Sequence, residues 1–73
     1  MPQVPLLKPG DVIKIFKKFG WEVARSKGSH IILTKVGNIA TLSIPNHSEV
    51  ARGTLRSLID KSGLTIEEFL SEL

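Results

Sequence analysis

One of the two histidines in this sequence, His30, lies in a pattern suited to phosphate chemistry. It follows Lys27, Gly28 and Ser29 directly, and Arg25 precedes them by two residues. Imidazole can accept and donate a proton near neutral pH, and nearby cations stabilise the charge that develops on a phosphate. Backbone N–H groups around a glycine turn add donors for a phosphate oxygen. This pattern favours metal-free cleavage of RNA, in which the ribose 2′-OH is the nucleophile.

A structural interpretation of the histidines stays open. A histidine at the start of a strand, such as His30, is compatible with a solvated face that has no chemical role. His47 follows Pro45 by two residues and is typical of a loop. Because a strand is expected to end at Pro45, His47 would nevertheless lie near the same surface, where it is a candidate accessory residue.

Other kinds of active site do not fit the sequence. Adjacent residues of a strand point to opposite faces, which argues against a triad of Ser29, His30 and Asp60. Two histidines without a neighbouring pair of carboxylates make a poor metal site, and the chain has no cysteine. The stretch 27–30 is too short for a glycine-rich nucleotide loop. We therefore expect no metal and no small-molecule cofactor.

Apolar residues at helical spacing predict three helices that frame this pattern. Gly20 follows the last apolar residue of the first stretch and suits the left-handed conformation that ends a helix. Thr54 is the expected N-cap of the second helix, and Thr65 begins a capping box for the third. The predicted helices cover residues 10–19, 55–62 and 66–71.

Alternating and β-branched stretches between the first two helices predict three short strands joined by two tight turns. The order α-β-β-β-α-α indicates an α+β fold, with a three-stranded antiparallel sheet and the helices packed on one face. Alternation along the strands directs Leu33 and Leu42 toward the helices, and His30 and Ser43 toward the other face. The predicted strands cover residues 21–26, 30–35 and 39–44.

The length of the chain, 73 residues, limits the protein to a single small domain. We expect that domain over residues 1–73, with an extended leader over 1–8. No apolar run approaches the roughly 18 residues of a membrane span, and no signal peptide is visible, so no membrane partner is expected. The lack of cysteine fits a reducing cytoplasm.

The charge distribution suits a polyanionic partner such as nucleic acid. Residues 8–35 carry seven basic and two acidic side chains, a net charge of +5, whereas residues 57–73 carry one basic and four acidic side chains, a net charge of −3. We expect the basic half to surround His30 and the acidic tail to lie away from it. A solvated, lysine-rich surface is the alternative. Trp21 is expected to seal the first helix against the sheet rather than to stack on a base.

The chain carries, in this order, Gly20 followed by an aromatic residue and the motifs Lys27-Gly28-Ser29-His30, Ile44-Pro45-Asn46-His47, Gly53-Thr54-Leu55-Arg56-Ser57-Leu58 and Gly63-Leu64-Thr65-Ile66-Glu67-Glu68-Phe69. In this combination the motifs resemble those of the HicA (YcfA-like) toxin family. The resemblance implies a double-stranded-RNA-binding-like fold and a bacterial type II toxin that cleaves mRNA and is blocked by a HicB-type antitoxin. It also implies catalysis by His30, assistance from Lys27 and a second family histidine at His47. Family members often carry an aromatic residue in the second strand, where this chain has Ile32 and Leu33.

The leading hypothesis is therefore a cytoplasmic bacterial toxin that cleaves mRNA without a metal. His30 is the expected general acid or base, and the expected substrate-binding residues are Lys27, Gly28, Ser29 and Arg25. Two alternatives stay open: a non-catalytic RNA-binding module that uses the same basic face, and a degenerate toxin that acts only as the binding partner of an antitoxin.

Overall fold

Three helices and one antiparallel sheet make up residues 3–73, the part of the chain that the computed structural model describes. The sheet has the strand order β1-β2-β3, so each strand pairs with its neighbour in sequence. This arrangement confirms the α+β fold class and the order α-β-β-β-α-α. The elements are α1 (Pro9–Lys18), β1 (Trp21–Lys27), β2 (His30–Lys35), β3 (Asn38–Pro45), α2 (Arg52–Ser62) and α3 (Ile66–Leu70).

Helix α1 forms as its apolar stripe and its terminal residues predict, one residue earlier than expected. Pro9 occupies the first turn, where a missing N–H is tolerated. Ile15 and Phe16 are buried on the face that packs against the sheet. Gly20, with φ of 96°, adopts the left-handed conformation that lets the chain leave the helix and enter β1.

The turn between β1 and β2 consists of only two residues, Gly28 and Ser29. Gly28 has φ of 58°, and positive φ at the first of two central residues is typical of a type II′ turn. The turn makes Lys27 and His30 direct partners in the ladder, so β1 is one residue longer than the predicted stretch 21–26.

One face of the sheet holds the core. Leu33, Leu42 and Ile44 point into it and are fully buried, as strand alternation predicts, while Ser43 is exposed on the other face. Helices α1 and α2 pack on the buried face. Trp21 is 1% exposed and meets the ring of Phe16 edge-on, which confirms that it seals α1 against the sheet. The opposite face carries no helix within the described residues, and we call it the open face.

Helix α2 begins at Arg52, three residues before the predicted start, so Thr54 lies inside the helix and is not its N-cap. Ala51 occupies the cap position, where no side chain satisfies the helical N–H groups. Contacts with a distant segment hold the start instead, because the N–H of Val50 donates to the carbonyl oxygen of Leu7 at 2.8 Å. Tertiary contacts have thus overridden the local capping signal.

The end of α2 and the start of α3 follow the sequence signals. Gly63, with φ of 84°, ends α2 in the left-handed conformation. Thr65 and Glu68 form the predicted capping box: the N–H of Glu68 donates to the Thr65 hydroxyl at 3.0 Å, and the N–H of Thr65 donates to the Glu68 carboxylate at 2.9 Å. None of the described helices is long and apolar enough to cross a lipid bilayer.

The predicted leader, as far as it is described, packs against the rest of the molecule. Residues 3–8 are called the N-terminal segment below; residues 1 and 2 of the leader lie outside the described residues. Val4 is 5% exposed and belongs to the core, and Leu7 forms an antiparallel bridge with Val50. The segment therefore contributes both apolar contacts and backbone hydrogen bonds.

Candidate functional site

His30 lies at one end of the sheet, where β2 begins. Its direct partner across the β1–β2 ladder is Lys27. Directly opposed residues of an antiparallel pair share a face and have Cβ atoms about 4.5–5.5 Å apart. Both side chains are exposed, and both lie on the open face. An imidazole and an ammonium group therefore stand side by side where a large substrate has free access.

A bulge in β1 brings Arg25 to the same face. Val23 pairs with the buried Leu33, and regular alternation would turn Arg25 toward the core as well. The register shifts between Val23 and Arg25, so that Arg25 pairs with the outward-facing Ile32. Bulges re-aim side chains in this way. Arg25 is then a diagonal neighbour of His30, at about 7–8 Å between backbone positions.

The second histidine lies on the loop that follows β3, and a backbone hydrogen bond ties this loop to the first turn. His30 pairs with Pro45, the last residue of β3. The N–H of Asn46 then donates to the carbonyl oxygen of Ser29 at 2.6 Å. The next residue, His47, is exposed. The Gly-Ser-His and Pro-Asn-His motifs thus meet at one end of the sheet although 17 positions separate their histidines.

The lysines of α1 do not join this cluster, so the expectation that the basic half surrounds His30 is wrong for them. Helix α1 packs on the core face of the sheet, opposite to the open face. The chain passes from α1 into the sheet at Trp21, the first residue of β1. Trp21 and Lys27 are the two ends of β1, about 20 Å apart at the usual strand rise. The ammonium group of Lys18 lies 3.5 Å from the carboxylate of Glu72. One carboxylate of the acidic tail therefore pairs with a basic residue of α1.

Arg52 is bonded to a distant segment, and Asp60 lies on a different element from Ser29 and His30. The guanidinium Nε of Arg52 donates to the carbonyl oxygen of Val4 at 3.1 Å in a partly buried contact. Asp60 lies on α2, whereas Ser29 and His30 lie at the hairpin. Within residues 3–73, the structure brings together no group of three or more His, Cys, Asp or Glu side chains that could hold a metal ion.

Sequence reasoning missed two features of this site. The bulge between Val23 and Arg25 has no distinctive residue type in the sequence to announce it. The contacts of the N-terminal segment with Val50 and Arg52 join residues more than 40 positions apart, and no local pattern indicates them. Both features arise from pairing between separate segments of the chain, which a local pattern does not show.

Comparison with known families identifies the chain. The family model described as the HicA toxin of bacterial toxin–antitoxin systems matches residues 10–64. The chain belongs to the HicA toxin family. No curated protein matched the chain. Membership makes this protein the toxin of a toxin–antitoxin system, with an antitoxin as its partner. The matched residues include Arg25, Lys27, His30 and His47 but not the N-terminal segment.

Proposed function

We propose that this HicA toxin is an endoribonuclease that cleaves mRNA and that His30 is its general acid or base. The observation that carries the proposal is the direct pairing of His30 with Lys27 on the open face. A group that moves protons and a cation that binds phosphate lie side by side there. Within residues 3–73 no helix covers this face, which suits a long, flexible polymer as the substrate.

The reaction needs no nucleophile from the protein, because RNA carries its own. A base removes the proton from the ribose 2′-OH, and the 2′-oxygen attacks the adjacent phosphorus. The bond from phosphorus to the 5′-oxygen breaks, and an acid returns a proton to that oxygen. The products are a 2′,3′-cyclic phosphate and a 5′-OH. His30 performs one of the two proton transfers, and His47, on the neighbouring loop, is the candidate for the other.

The cations and the turn bind the phosphate. Lys27 lies beside His30 and contacts the scissile phosphate, while Arg25, one diagonal step away, contacts it or the next phosphate. Ser29 and the backbone N–H groups of the turn at Gly28 orient the phosphate oxygens. One general acid–base group contributes about 10²–10⁴-fold in rate. Orientation and charge stabilisation by Lys27 and Arg25 supply a further share.

The partners and the setting follow from the family. We propose that the antitoxin is of the HicB type, that the substrate is mRNA in the bacterial cytoplasm, and that residues 1–73 act as one toxin domain. The basic side chains of the open face support the choice of a polyanionic substrate.

Cleavage of a defined RNA by the wild type and by His30→Ala, in the presence of EDTA, tests the proposal. The wild type should yield a cyclic phosphate end, and His30→Ala should lose at least about 10²-fold in rate. Ser43→Ala, an exposed change on the same face, is the matched control and should retain the wild-type rate. An RNA with 2′-deoxyribose at the cleaved position should stay intact.

Three other outcomes would reject the proposal. Full activity of His30→Ala would remove His30 from the mechanism. RNA that the wild type binds but leaves intact, with and without added divalent metal, would favour a non-catalytic RNA-binding module. A wild type that binds no RNA but captures its antitoxin would favour a degenerate toxin.

A further inference from the structure

The loop that carries His47 is anchored at both of its ends. At its start, Asn46 is bonded through its N–H to Ser29, as described above. At its end, Val50 is fully buried and donates its N–H to Leu7. Arg52, two residues later, donates to Val4. The exposed part of the loop between these anchors is therefore only residues 47–49.

The two ends of the loop are attached to different parts of the molecule. At Asn46 the loop is bonded to the hairpin turn between β1 and β2. The anchors at Val50 and Arg52 are backbone carbonyl groups of the N-terminal segment, which has no helix or strand of its own beyond the bridge at Leu7. That segment is held in turn by the buried side chain of Val4. The end of the loop is thus held jointly by the buried side chain of Val50 and by the N-terminal segment.

From these contacts we propose that Arg52 is a positioning residue for His47. Its Nε holds the carbonyl group of Val4, fixes the N-terminal segment against the start of α2, and thereby fixes the loop that presents His47 to the phosphate. The inference rests on the proposed ribonuclease function and deepens it, because it assigns a role to a residue outside the open face. It also makes the N-terminal segment a part of the site.

Two substitutions separate this role from direct phosphate binding by Arg52. A guanidinium group has five N–H donors, and the one on Nε, nearest the side-chain stem, is the one used for Val4. A glutamine amide nitrogen lies at the same distance along the side chain and can make the same bond without charge. Methionine has a similar length and no donor. The pair Arg52→Gln and Arg52→Met therefore separates the hydrogen bond from the charge.

Steady-state cleavage kinetics of these two variants test the role. Arg52→Gln should keep kcat near the wild-type value, whereas Arg52→Met should lower kcat by about 10-fold to 100-fold, because small displacements of a reacting group are costly. KM should change little in both. If both variants raise KM alike and leave kcat unchanged, Arg52 binds phosphate through its charge and the inference is wrong.

A second cycle tests whether Arg52 acts through His47. Arg52→Met should have no further effect on kcat in a His47→Ala background. A loss of equal size in both backgrounds would point to general destabilisation and would overturn the inference. Wild-type kcat in His47→Ala alone would overturn it as well, while His30→Ala still decides the ribonuclease function separately.

Amide hydrogen exchange gives a readout that does not depend on cleavage. The N–H of Val50 should exchange faster in Arg52→Met than in Arg52→Gln, because the segment that holds it is released. Unchanged exchange would reject the anchoring itself. If the exchange is faster in Arg52→Met but the wild type does not cleave RNA, the anchoring stands and the ribonuclease function alone is rejected.

Discussion

Lys27 and His30 are direct cross-strand partners, with only Gly28 and Ser29 between them along the chain. A two-residue turn is the shortest connection that places two residues opposite each other in an antiparallel ladder. The pairing therefore depends on the backbone of the turn, in which Gly28 has a positive φ. A single tight turn can thus place two exposed side chains next to each other through the backbone.

Replacement of Lys27 by Gln should weaken RNA binding and cleavage while leaving the fold intact, because Lys27 is exposed. Removal of one phosphate contact on single-stranded RNA should reduce the slope of log K against log salt by about 0.7. Filter binding across a salt series measures the slope. Lys61→Gln, an exposed change on α2, is the control and should leave it unchanged. An unchanged slope in Lys27→Gln would exclude the contact.

Replacement of Gly28 by Ala should lower the free energy of unfolding by about 1–2 kcal/mol, the usual cost of a left-handed conformation for a residue with a Cβ. The cause is backbone conformation alone, because an added Cβ would meet no atom within 4 Å. Gly10→Ala is the control: its Cβ would also meet nothing, and in a helix alanine should stabilise by up to about 1 kcal/mol. Urea denaturation measures both, and wild-type stability of Gly28→Ala would contradict the turn geometry.

Adjacent residues of β2 should respond in opposite ways to truncation. Leu33→Ala should cost about 2–5 kcal/mol in the free energy of unfolding, because Leu33 is fully buried in the core. Ile32→Ala should cost much less, because Ile32 lies half-buried on the open face. Denaturant unfolding monitored by circular dichroism compares the two. Equal losses would show that the two faces of the sheet have been assigned wrongly.

The elements that the sequence predicts well are those with local signals. Gly20 and Gly63 end their helices, and Thr65 starts one, through contacts within a few residues. The start of α2 escaped prediction because distant backbone groups, at Val4 and Leu7, hold it in place. A pattern read along the chain contains no information about such partners.

The candidate site shows the same difference between features with local signals and features that depend on distant segments. The neighbourhood of Lys27 and His30 follows from a short turn, and the sequence predicts it directly; its catalytic role stays a prediction. The bulge that turns Arg25 outward depends on strand pairing, which the sequence does not specify at that position. Net charge counted along the chain assigned the lysines of α1 to the site. It failed for them because α1 packs on the core face of the sheet, whereas the side chains of Lys27 and His30 lie on the open face.

Trp21 is the single tryptophan of the chain and is almost completely buried beside Phe16. Its indole N–H is buried and has no hydrogen-bond partner within residues 3–73. It lies at the end of β1 opposite to the turn before His30. Its fluorescence should therefore change when the core opens and stay constant when a ligand occupies the open face. One intrinsic fluorophore can thus report whether any variant of the site is still folded.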